Sequence, residues 1–255
     1  VGIWGNSPTA HRGRTIAAKQ GAPLLRVEDA FLRSLHPGRA GEPPIGLHLD
    51  RSGVHFDPAT PSDLEQLLTT HSLDDTALLD RARAGMARMQ ELHLSKYSGF
   101  VSTTPPPEPG YVLVVDQARG DASVTASKGT DALFREMVVW TLLEGAIGVY
   151  TLSSQLGFEA ILAGHKPRVF GQPFYAGWGL TADEHPVPRR ERRLTRAQLF
   201  AAAMILYPVW YDPYRDQLGT LETTLDALEA QVRAWRQDHL GWTAGGMRLW
   251  KRRPL

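Results

Sequence analysis

Three places in this 255-residue chain combine residue types that can do chemistry on an anionic ligand. Glu28 and Asp29 stand side by side at the end of an apolar run over 23–27. Neighbouring side chains of a strand point to opposite faces, so one carboxylate can meet a cleft while the other holds structure. The alternative is a solvated acidic turn. Asp116, Gln117 and Asp121 follow the apolar run 111–115, the equivalent point of the second half. A carboxylate there can serve as nucleophile or base; an Asp next to Gly can equally close an Asx turn. Ser153 and Ser154 precede a helical run over 155–163. Two hydroxyls before a helix N-terminus make an anion site through free amides and the helix dipole, or a plain N-cap. Glu159 lies one to two turns further in, within reach of a ribose hydroxyl.

The run GQPFYAGWGLT at 171–181 packs three glycines, a proline and three aromatics into eleven residues. It is too broken for a helix or central strand and too aromatic for a linker. Gly177 lets backbone approach a partner closely, and Tyr175 and Trp178 supply flat faces. A shaped loop against a ligand and a buried aromatic turn both fit. Four arginines at 189, 190, 192 and 193, and Lys251, Arg252 and Arg253 beside Trp250, form basic runs. Such runs touch phosphates or anionic lipid, or make a solvated face. The nine histidines are scattered, with no HxH or HxxxH pair, and neither a Walker sequence nor GxGxxG is present.

The elements that must position these residues alternate. Strands are expected at 1–4, 23–27, 111–115, 146–151 and 168–170, with helices between them, which reads as βαβ units and parallel pairing. A short hairpin is expected at 46–56 around Asp50. Ser62 with Glu65, and Thr195 with Gln198, are capping-box patterns that open helices. Further helices are expected at 75–93, 130–144 and 221–238. Four prolines within 103–109 mark a linker. The domains follow: 1–104, a linker at 105–110, 111–200, and C-terminal helices at 201–255. A net charge of +1 exerts no whole-chain pull on nucleic acid, and the absence of cysteine excludes disulfides and thiolate metal sites. No apolar run reaches the roughly 20 residues that span a bilayer. Val1 is not an initiator Met, so the sequence reads as part of a longer gene product.

The motifs, in order, resemble those of the bacterial capsule polysaccharide β-Kdo transferases. EDAFLRS at 28–34 is similar to that family's EDGFLRS, and GVHFD at 53–57 to GIYYD. VLVVDQARGDAS at 112–123 is similar to VLVVGQxxxDAS, SSQLGFEA at 153–160 to SSxxGFEAL, and the run at 171–181 to GxPFYAGWGLT. LYP at 206–208 with Asp212 and Pro213 resembles LYPRYxDP. The resemblance implies an α/β, GT-B-like fold of two Rossmann-like domains facing a cleft. It implies a retaining glycosyltransferase that moves β-Kdo from CMP-β-Kdo to a lipid-linked Kdo oligosaccharide. The enzyme would have no cofactor, metal or nucleic-acid partner, and would be cytoplasmic with peripheral contact at the inner membrane. The roles it implies are Asp121 as nucleophile with Gln117 beside it, and Glu28 or Asp29 assisting the acceptor. Ser153 and Ser154 would lie on the CMP phosphate and Glu159 on the ribose, with Tyr175, Trp178 and Gly177 shaping the donor cleft.

Two departures stand out. Ala30 replaces the family glycine after Glu–Asp. The run at 134–145 leaves no room for a strand ending in His–Pro that related chains carry, so part of each domain is expected to be missing around Trp140–Thr141 and at the start. That loss keeps open a second function: a catalytically impaired member acting as a binding or assembly module for capsule export.

Overall fold

The computed structural model describes residues 1–99, 110–118, 120–130, 132–134, 137 and 148–240. In chain order come β1 (Gly2–Trp4), α1 (Ala10–Gln20), β2 (Leu25–Asp29), β3 (Gly46–Asp50), α2 (Asp63–Thr70) and α3 (Thr76–Glu91). Then follow β4 (Leu113–Val115), α4 (Ala122–Ala126), β5 (Val149–Thr151), α5 (Gln155–Leu162), β6 (Arg168–Val169) and β7 (Ala182–Asp183). The chain closes with α6 (Arg196–Phe200), a π-helical turn (Ala201–Leu206), β8 (Pro208–Asp212), β9 (Gln217–Gly219) and α7 (Leu221–Leu240). Among the described residues no helix is long and apolar enough to cross a membrane. Most of the expected linker and of the helix over 130–144 lie outside the described residues, as do Trp140, Thr141 and the basic residues at 251–253.

The second sheet is the simpler one. Its order is β4-β5-β6-β7 and every pairing is parallel. The first sheet has the order β1-β2-β3-β8-β9. Only β1 and β2 pair in parallel; the other three pairings are antiparallel. The segment after 207 therefore returns to the first sheet as two strands before its last helix.

The expected hairpin at 46–56 forms only its first strand. Buried Asp50 is the reason. Its Oδ1 accepts the amides of Ser52 (2.9 Å) and Gly53 (2.7 Å), and its Oδ2 accepts the Asp63 amide and the Tyr207 hydroxyl, both at 2.9 Å. The amides a returning strand would use are consumed in this Asx-type turn. Both predicted helix caps form: Ser62 accepts from the Glu65 amide, and Thr195 and Gln198 make a full capping box. Ala30 has no positive φ, and its methyl is fully buried where Gly46 lets β3 pass close to Trp210. The departure from glycine costs no backbone strain there.

One large core joins α2, α3, α5, α6, the π-helical turn and α7 with Phe31, Phe174, Tyr175 and Trp178. A smaller cluster under the second sheet holds Met137, Tyr150, Leu152 and Phe170. Two arginines of the basic run bind the halves together. Arg190, its side chain 2% exposed, donates to the Glu65 carboxylate of α2 at 2.8 and 3.1 Å and to the carbonyls of Pro173 (2.6 Å) and Ala176 (3.1 Å). Arg189 pairs with the same carboxylate and with the Pro58 carbonyl. Arg192 donates to the carbonyls of Leu68, His71 and Ser72. These three side chains are therefore structural, not a free basic face.

Removing one partner of a buried pair strands the other charge. Arg190→Ala is expected to lower the unfolding free energy by about 3–5 kcal/mol, read from chemical denaturation. Glu65→Ala made in the same background should cost clearly less than it does alone. A loss within the 0–1 kcal/mol range of exposed pairs would contradict this role.

Candidate functional site

The carboxyl ends of strands from both sheets open onto one cavity of about 930 Å³. The β1 end contributes Trp4, Asn6 and Ser7, and the β2 end contributes Glu28 and Asp29. The β4 end contributes Asp116 and Gln117, the start of α4 Asp121 and Ser123, and the β5 end Ser153 and Ser154. Ligands of open α/β sheets bind at such ends, where loops leave the strands and backbone amides are free.

The two adjacent carboxylates have diverged. Asp29 Oδ2 takes the Arg33 guanidinium at 2.7 Å, and Arg33 also donates to Ser34 Oγ and the Glu42 carbonyl, both at 2.9 Å. Glu28 has no such partner among the described residues. Burial, then the Asp29 charge, push its carboxyl up to about 7, against the pull of Lys96. Gly5 makes room for it: a Cβ there would lie 1.6 Å from Glu28 Oε1.

Across the cavity a polar chain ties the β4 and β5 ends together. Gln117 Oε1 accepts the Ser153 amide at 2.9 Å and lies 3.2 Å from the Ser153 hydroxyl. Ser153 Oγ lies 3.2 Å from Ser123 Oγ, which donates to Asp121 Oδ1 at 2.6 Å. That same oxygen caps α4 through the Ser123 amide at 2.8 Å. Asp121 Oδ2 takes no hydrogen bond among the described residues. Ser154 caps α5 by accepting from the Leu156 amide.

The remaining predicted residues sit behind the wall. Tyr175 and Trp178 are fully buried; the tyrosine hydroxyl donates to the Ser154 carbonyl at 2.6 Å and the indole N–H to the Phe174 carbonyl at 2.7 Å. Both rings find polar partners inside the protein, so Phe174 and Pro173 form the lining in their place. Gly177, at φ +92°, turns the chain against Arg190 and donates to Asp183. Glu159 is turned to the Ser95 hydroxyl (2.9 and 3.0 Å) and to Gln155 Nε2 (3.2 Å), off the lining; burial raises its pKa. A ribose contact would have to draw it out of those bonds.

Sequence reasoning missed an aromatic wall and one cation. Phe31 stacks on Phe174 (centroids 4.3 Å apart) and meets His55 edge-on at 5.0 Å. Burial holds His55 down to about 3 and pushes His48 behind it well below the usual range, so both rings are neutral. Lys96 lines the cavity from the loop after α3. Gln155 donates to the Phe31 carbonyl at 2.7 Å, fixing α5 to the loop that carries this wall. Among the described residues no group of three or more His, Asp or Glu side chains is arranged to hold a metal ion.

A family model described as "Capsule polysaccharide biosynthesis protein" matches residues 1–105 and 122–209. The chain is 32% identical to the capsule polysaccharide modification protein LipA of Neisseria meningitidis serogroup B, with 98% of this chain and 44% of that protein covered. It is 34% identical to the lipopolysaccharide-processing protein LpsZ of Rhizobium meliloti, with 81% and 58% covered. It thus spans about half the length of the curated relatives it matches. A solved structure described as Thermosulfurimonas dismutans KpsC, beta Kdo 2,4 transferase, is similar at TM-score 0.83 and 32% identity, covering 90% of this chain and 86% of that one. Its beta Kdo 2,7 transferase counterpart, at TM-score 0.71 and 24% identity, shares the fold over 90% and 84%. With a family model matched over most of its described length and a relative 32% identical across nearly all of it, the chain belongs to the capsule polysaccharide biosynthesis protein family.

Proposed function

We propose that this chain is a retaining glycosyltransferase that moves β-Kdo from CMP-β-Kdo to a lipid-linked Kdo oligosaccharide in capsule biosynthesis. One observation carries the reading: a single cavity gathers Glu28 from one sheet and Asp121, Ser123, Ser153 and Ser154 from the other. Two sheets whose strand ends meet at one cavity are also what a GT-B-like arrangement of two Rossmann-like halves requires. The likeness to the 2,4 transferase structure supports the sugar assignment. The work would take place at the cytoplasmic face of the inner membrane, with the protein peripheral to it.

Retention of configuration needs two displacements. In the first, Asp121 Oδ2 attacks carbon 2 of the donor, the bond from carbon 2 to the phosphate oxygen breaks, and CMP leaves with that electron pair. The product is a glycosyl ester on Asp121. The α5 N-terminus behind Ser153 and Ser154 favours the departing phosphate charge. In the second, Glu28 takes the proton of an acceptor hydroxyl, whose oxygen attacks carbon 2 and releases Asp121 as carboxylate. Glu28 suits this role better than Asp29, whose oxygen is held by Arg33. A base whose pKa sits near the working pH is both deprotonated enough and basic enough to act.

Two outcomes are expected. Intact-mass measurement after incubation with CMP-β-Kdo alone should show one added Kdo, absent from Asp121→Asn, which keeps the N-cap, and from Asp121→Ala; an equal adduct on both variants would eliminate Asp121. The transfer step should show an acid limb near pH 7 in kcat/KM, because only the deprotonated Glu28 can accept a proton. Glu28→Gln should slow transfer about 10²–10⁴-fold and abolish that limb, while the donor-only adduct still forms.

A further inference from the structure

We infer that Lys96 is the positioning residue that receives the carboxylate of the acidic sugar, an assignment that rests on the transferase reading above. The charge pattern of the cavity demands such a group. Glu28, Asp29, Asp57, Asp116 and Asp121 all face it, and among the described lining residues Lys96 is the one lysine or arginine. A donor that carries a carboxylate as well as a phosphate meets several of these negative charges, and a fixed cation favours its binding.

Lys96 is fixed at its backbone and free at its tip. The neighbouring Ser95 hydroxyl donates to the Glu159 carboxylate of α5 at 2.9 Å. The Lys96 carbonyl accepts the Arg33 amide at 3.1 Å. On either side of it, the Ser98 hydroxyl donates to the Ser95 carbonyl at 3.0 Å, and Tyr97 bridges to Ser34. The stem thus leaves a loop clamped to α5 of one half and to the 28–34 segment of the other. The ammonium makes no ion pair among the described residues; it lies 5.8 Å from the centroid of the Tyr97 ring, and its charge is felt by Glu28. A half-buried lysine with a rigid root and an unpaired head, facing an acidic cavity, is arranged for an anion brought in from outside.

This placement gives Glu159 a role sequence reasoning did not assign. Its carboxylate accepts the Ser95 hydroxyl and Gln155, so it ties the loop that carries Lys96 to α5 and acts on the donor indirectly.

The test is adduct formation with CMP-β-Kdo by rapid quench and mass spectrometry, across donor concentrations, with CMP as competitor. Lys96→Met should raise the half-saturating donor concentration tenfold or more, equivalent to about 1.4 kcal/mol, with the limiting rate and the CMP inhibition constant changed less than threefold. Lys96→Arg should restore most of the loss. Unchanged half-saturation in Lys96→Met would overturn the inference. So would an equal loss of CMP affinity, which would make Lys96 a phosphate contact, or a change seen only in the acid limb of the transfer step, measured separately with acceptor, which would make it a charge balancer. A wild-type chain that forms no adduct and does not bind CMP would remove the transferase reading, and this inference with it.

Discussion

The Glu65–Arg190 pair is the constraint on which the rest of the structure depends. Arg190 lies across the indole of Trp178, its guanidinium carbon 5.8 Å from the ring centroid, and spends its donors on Glu65 and on two carbonyls of the turn at 173–176. Those carbonyls point inward because Gly177 turns left-handed after them. The Pro173 carbonyl also accepts the Ala176 amide at 3.1 Å, whereas the Ala176 carbonyl takes its hydrogen bond from Arg190, and a buried carbonyl without a donor keeps its full desolvation penalty. A single side chain thus satisfies the turn, neutralises a carboxylate on α2 and locks the second half onto the first. The consequence for the site is direct: the turn carries Phe174, which stacks on Phe31 and closes the cavity wall.

That lock lets two short sheets work as one site. The ends of β1, β2, β4 and β5 present polar residues to the cavity, but environment decides their state. Glu28 and Asp29 differ by one position and one methylene. Asp29 is paired with Arg33, whereas burial and that neighbouring negative charge raise Glu28 toward neutrality. The sign for stability follows. A carboxyl whose folded pKa lies above its unfolded value favours folding while protonated, and that contribution fades as pH rises through about 7. The same burial that would suit Glu28 to its proposed role as base therefore weighs against the fold in the pH range where its carboxyl is charged.

Local chemistry was readable from the sequence and long-range chemistry was not. The caps at Ser62 and Thr195, the strand ends at Glu28, Asp116 and Ser153, and the helices near them follow from propensity, periodicity and capping, which act within a few residues. Glu65 shows the limit. As the third residue of a capping box it was expected to reach back to Ser62; it reaches instead to arginines more than a hundred positions away. The basic run looked like a solvated or anion-binding face for the same reason: its partners are the distant Glu65 carboxylate and backbone carbonyls that no local pattern reveals. Strands β8 and β9 were hidden in what read as a helical tail, because the pairing of β8 with β3, onto which β9 adds, is set by tertiary packing. Tyr175 and Trp178 were taken for cleft residues, since aromatic spacing cannot separate a wall from the layer behind it. Lys96 was passed over because a lone lysine after a helix carries no motif; only the cavity gives it meaning.

In the proposed mechanism Asp121 combines a structural role with a chemical one, and the two are compatible in one side chain. An N-cap uses one carboxylate oxygen, and here Oδ1 takes both the Ser123 amide and the Ser123 hydroxyl. Those bonds fix the plane of the carboxyl group and so the direction of Oδ2. A nucleophile gains from this, because an oxygen already aimed loses less freedom when it attacks. The bonds also draw charge from the carboxylate, which lowers its nucleophilicity but makes it a better leaving group in the second displacement. A double displacement needs that balance, since the same bond must form and then break. The hydroxyls of Ser123 and Ser153 extend the arrangement to Gln117, so the strand ends that border the nucleophile also hold it in register.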